Sequence, residues 1–91
     1  MINGNSKEFI ELVYNGHDLF FNYDGHKYMF DGYSTENGFK HVIYDLNYDN
    51  KLFYEYEDDD SVKCGDAFQK ANIFNGKSFW EVEQNIEWLD E

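Results

Sequence analysis

The 91 residues predict one α+β domain: a four-stranded antiparallel meander with an N-terminal helix and two C-terminal helices packed on one face, in the order α-β-β-β-β-α-α. Three observations predict it. The middle of the chain alternates apolar and polar residues between two-residue turns, and both ends space their apolar residues at helical intervals. Aromatics make up 21% of the residues, which is apolar area enough to close a core without disulfides.

Each element has a local cause. Asn5 caps a helix from about Ser6 to Tyr14, with Glu8 three residues on in the capping-box position. Phe9, Ile10, Leu12 and Val13 give it an apolar face, and Asn15-Gly16 stops it. Asp18 to Tyr23 and His26 to Phe30 flank Asp24-Gly25, a strong hairpin signal. Leu19, Phe21 and Tyr23 then point one way, with Tyr28 and Phe30 as partners. A turn at Glu36-Asn37-Gly38 leads to a third strand, Phe39 to Leu46. After a turn over Asn47 to Asn50, Lys51 to Glu57 makes a fourth strand, ended by Asp58-Asp59-Asp60. A short helix from Asp66 to Asn72 turns Ala67, Phe68 and Ala71 inward, and Asn75-Gly76 reverses the chain. Ser78 caps the last helix, with Glu81 completing a capping box and Phe79, Val82, Ile86 and Leu89 as its apolar stripe. No repeat, linker or second domain interrupts residues 1–91.

The charge is the most unusual feature of the composition. Nineteen Asp and Glu face seven lysines and no arginine, for a formal net charge of -12. Such a coat repels nucleic acid and anionic membrane and attracts basic protein surfaces. Disordered acidic chains lack aromatics, so the charge here sits on a folded body. Cys64 is the single cysteine, which fits a reducing cytosol. No segment has the length of a signal peptide's apolar run or of a membrane span, so a soluble protein is expected.

Several near-motifs fail at named positions. Gly76-Lys77-Ser78 resembles the end of a phosphate-binding loop, but Ala71 stands where the first glycine belongs. Asp45-Leu46-Asn47-Tyr48-Asp49 opens like a calcium loop, but Asn50 replaces its glycine and Tyr56 its bidentate Glu. His26 and His41 on neighbouring strands can face each other, without the spacing of a structural zinc site. No serine or carboxylate pair marks a catalytic centre. The expectation is a protein that is not an enzyme and holds no cofactor or metal.

Two surfaces stand out as partner-binding candidates. Along Tyr54, Glu55, Tyr56 and Glu57, alternation puts the tyrosines on one face and the carboxylates on the other, with Asp58, Asp59 and Asp60 extending the acid run. Tyrosine supplies rigid contact area, and carboxylates match Arg forks. On the last helix, Trp80 and Trp88 fall opposite the apolar stripe, flanked by Glu81 and Glu87, as anchors for a partner or a second copy.

Gly16-His17-Asp18, Tyr23 to Tyr28 across the hairpin, and Ile73 to Glu81 together resemble a family of small acidic proteins of low-GC Gram-positive bacteria and their phages and mobile elements. In general character such proteins are similar to phage-encoded inhibitors of CRISPR effectors. A body about 30 Å across matches a length of duplex with roughly 18 phosphate charges. The expected function is therefore non-enzymatic: an anti-CRISPR-like, partly DNA-mimicking protein that blocks a basic nucleic-acid-binding protein, with a CRISPR effector nuclease favoured. The alternatives are an immunity protein against a basic nuclease toxin and a module that homodimerises through Trp80 and Trp88. The chain is expected as a monomer or weak homodimer.

Overall fold

The computed structural model describes residues 1–90. Helix α1 spans Ser6–Tyr14. Four strands follow: β1 (Leu19–Tyr23), β2 (His26–Thr35), β3 (Gly38–Asp45) and β4 (Lys51–Asp58). Then come α2 (Ser61–Lys70), a single turn α3 (Phe79–Val82), a 3-10 turn (Glu83–Asn85) and a strand β5 (Glu87–Leu89). The class read from the sequence is the observed one, with one addition: among the described residues the sheet has five strands, ordered β4-β3-β2-β1-β5, and each neighbouring pair is antiparallel.

One face of the sheet carries the core. Leu19, Phe21, Tyr28, Phe30 and Ile43 project from the strands, and Phe9, Ile10, Val13, Phe68, Phe79 and Val82 meet them from the helices. The core is largely aromatic, so ring geometry sets its packing. Phe9 stacks on Phe79 at 5.5 Å between centroids and meets Phe21 and Trp88 edge-on at 5.9 and 5.3 Å.

The last segment departs from its expected form. The Ser78–Glu81 capping box exists, with the Glu81 carboxylate accepting from the Ser78 N–H at 3.0 Å. The helix nevertheless ends after one turn. Glu83 accepts from the Met1 amino group at 2.8 Å and from the Ser6 hydroxyl, and Glu87–Leu89 pairs with the edge of β1. Helical and strand periods both bury Val82 and Ile86, but they part at the next positions. As a strand the chain turns Trp88 inward against Phe9 and Leu89 to the other face, the reverse of the expected helix. Ile2 then bridges to Glu87 on the outer side of β5, so the two ends of the chain lie together.

Two further boundaries differ by five residues each. β2 runs to Thr35 rather than Phe30, because its partner β3 is long enough to keep pairing with it. α2 starts at Ser61 rather than Asp66, because the Asp60 carboxylate accepts from the Val62 N–H at 2.9 Å and caps it there.

Gly65 shows how closely α1 and α2 approach. A Cβ at this position would lie 2.3 Å from the Tyr14 ring. That ring is held by its hydroxyl, which donates to Asp66 and accepts from Gln69 Nε2 at 2.7 Å. In an open helix Gly→Ala gains about 1 kcal/mol. Here overpacking of about 1–3 kcal/mol opposes that gain. Gly65→Ala should therefore lose about 1 kcal/mol and lower Tm by roughly 4–8 °C in circular dichroism melts. A higher Tm would mean that the Tyr14 ring yields freely.

Candidate functional site: the uncovered sheet face and the acidic edge

Strand alternation gives the sheet two unlike faces. Helices cover the face bearing the core, and the register fixes what stands on the other. Leu89 pairs with Phe20, Phe20 with Met29, Met29 with Tyr44, and Tyr44 with Leu52. One apolar row thus crosses all five strands on the uncovered face. Leu52 is 44% exposed and the other four are half-buried. Asn22, Lys27 and Glu87 line one side of the row, and the Lys27 ammonium lies 5.6 Å over the Phe20 ring. On the other side stand Asp31, Val42 and Glu55, then Tyr33, Lys40 and Glu57.

The acidic strand β4 divides between the two faces as alternation requires, but its tyrosines are not a free contact surface. Tyr54 packs edge-on against Phe68 at 6.4 Å. Tyr56 lies on the same face, and its hydroxyl donates to Asp58 at 3.0 Å. Both are half-buried, because α2 begins five residues earlier than expected and covers this end of the sheet. A register shift at Ile43/Tyr44 adds to this: Ile43 pairs with Tyr54 and Tyr44 with Leu52. Phe53 is the extra residue of that bulge, and it too packs on the core, 4.7 Å from the Tyr28 ring.

Glu55 and Glu57 do face outward. The Glu55 carboxylate is 3.8 Å from Lys40 Nζ, and Glu57 accepts from the Thr35 hydroxyl at 2.6 Å. The run beyond them has local tasks: Asp58 accepts from the Asp60 N–H at 3.1 Å, and Asp60 caps α2. Asp59 stays exposed.

Trp80 and Trp88 do not share a helix face. Trp88 belongs to β5 and to the core edge. Trp80 is 44% exposed, and its indole N–H donates to Gln69 Oε1 at 2.7 Å. Glu81 is exposed and engaged in its cap. Of the residues singled out in the sequence, the structure leaves Glu55, Glu57, Asp59, Asp60, Trp80 and Glu81 at the surface but does not gather them into one site.

The histidines also separate. His26 Nδ1 lies 2.8 Å from Asp45, whose other oxygen accepts from the Asn47 N–H at 3.0 Å. Asp45 therefore organises its turn. His41 pairs with Gly32 and is buried against Phe30. Among the described residues no group of three or more His, Cys, Asp or Glu is placed to hold a metal, and no helix is long and apolar enough to cross a membrane.

Sequence reading missed the apolar row and the carboxyl pair beside it. Asp31 is pushed up to about 6, first by burial and then by a hydrogen bond with Asp18 and its nearby charge. His41 is held down to about 4 by burial. The alternation Lys27, Met29, Asp31 was the available signal for the uncovered face, but the row appears only when the register of five strands is known. The chain matches no family model, no curated protein and no solved structure.

The two titrations oppose each other. Folded Asp31 holds a proton that the unfolded chain has released between about pH 4 and 6, so its contribution to stability improves as pH falls through that window. Folded His41 stays neutral while the unfolded chain protonates below about 6.5, so its contribution worsens as pH falls from there to about 4. Asp31→Asn should stabilise the protein at pH 7.5, by about 1 kcal/mol after allowance for solvent screening, and the gain should vanish near pH 4. Denaturant midpoints at both pH values check this, and an equal gain at both would reject it.

Tyr54 offers a second check. Among the described residues its buried hydroxyl has no hydrogen-bond partner, and burial raises its pKa to about 12. Removing an unpaired buried hydroxyl should not destabilise. Tyr54→Phe is expected to unfold at the same denaturant concentration or higher, with a gain of up to about 1 kcal/mol.

Proposed function

We propose that this chain is a non-enzymatic acidic binding protein that occupies the nucleic-acid-binding surface of a basic protein and so blocks it. The observation that carries this reading is a net charge of -12 on a body of 34 × 29 × 27 Å. Duplex DNA 34 Å long carries about 20 phosphate charges, the same order as the chain's 19 carboxylates. These are spread around the molecule, so one face presents part of a duplex's charge density. Mimicry of this kind is partial and needs contacts besides charge. A CRISPR effector nuclease is the target class favoured by the likeness to small acidic phage and mobile-element proteins, and the protein acts where that target acts, in the bacterial cytoplasm.

The test is capture from host lysate at low salt, identification of the basic protein retained, and competition with DNA for it. The reading expects that the retained protein loses its DNA when this chain is added. It also expects affinity to fall at least about tenfold between 50 and 300 mM NaCl, as steered, charge-rich association does. Affinity flat with salt, or DNA that stays bound, would sink it.

A further inference from the structure

We infer that the uncovered sheet face is the docking surface, and that it takes a basic protein surface with an apolar ridge flanked by Lys or Arg. This inference rests on the reading as an acidic binding protein and names the face and the complementary chemistry.

The face is built from unlike strips. The row Leu89–Phe20–Met29–Tyr44–Leu52 spans four strand spacings, about 19 Å, and lies outside the core cluster. Near its centre a cleft of about 260 Å³ opens between Met29, Tyr44, Leu46 and Asn50. A cleft of that size takes one large apolar side chain, the form of anchor that dominates binding energy at interfaces. With five strands averaging about seven residues, the face projects roughly 500–600 Å², the same order as one side of a standard interface.

Charge selects the occupant. Asp31, Glu55, Glu57 and Glu87 stand on this face with Lys27 and Lys40, and Asp18 is bonded to Asp31 beside them. Five carboxylates against two ammonium groups favour a cationic rim. A second copy of this chain would bring the same five carboxylates against these, which like-charge repulsion opposes. The exposed apolar side chains on the helix side, Phe39, Val62 and Trp80 among them, form no comparable row.

The probes are two peptides of equal positive charge and about 14 residues, long enough as a helix to span the row: a leucine-lysine amphipathic peptide and a glycine-lysine peptide. Titrated into the full chain at about 150 mM NaCl, the amphipathic peptide should bind at least about tenfold tighter. Amide shifts should concentrate at Phe20, Met29, Tyr44, Leu52 and Leu89. Met29→Ser should weaken binding about tenfold, with Leu52→Ser at the sheet edge as the substitute if that variant does not fold. Val62→Ser should change nothing. Equal affinity for both peptides, or shifts spread over the helices, overturns the docking face and leaves the basic-partner reading intact. Failure of both peptides to bind even at about 50 mM NaCl counts against both. A dimer in sedimentation that Met29→Ser dissociates would also overturn the inference, since the occupant would then be a second copy.

Discussion

The fold turns on the ring of Phe9. It stacks on Phe79 and meets Phe21 and Trp88 edge-on, so one side chain joins the first helix, the first strand, the last helical turn and the last strand. A chain with net charge -12 resists compaction by self-repulsion. Opposing that needs apolar contacts between segments far apart in sequence. Phe9 supplies them at the point where the two ends of the chain converge.

Much of this was legible in the sequence, because much of it is local. Asn5 and Ser78 head their helices, and Asp24-Gly25 and Asn75-Gly76 turn the chain with positive φ at all four residues. What was not legible depends on distant pairing. Val82 and Ile86 satisfy a helix and a strand equally, and the choice between them falls to the free edge of β1. Tyr54 and Tyr56 do share a face, as alternation says, but whether that face is wet depends on where α2 docks, and Asp60 decides its start. The bulge that adds Phe53 to the core leaves no mark in the residue pattern at all.

The candidate site was legible in charge and not in shape. Glu55 and Glu57 were identifiable as outward carboxylates from the strand alone. The apolar row beside them takes one residue from each of the five strands and meets only through register. The tryptophans misled for a related reason: a large ring in a short terminal segment can serve the core edge or a partner, and a one-residue change of phase exchanged the roles of Trp88 and Leu89.

The meeting of the chain ends has a consequence for synthesis on the ribosome. β1 is made early, yet its outer edge and the flank of Phe9 wait for Glu87–Leu89, and β5 in turn takes Ile2 on its outer side. These closures span nearly the whole chain, and such non-local contacts form late and slowly. The nascent protein therefore carries an open strand and an uncapped aromatic cluster until residue 89 is free of the exit tunnel.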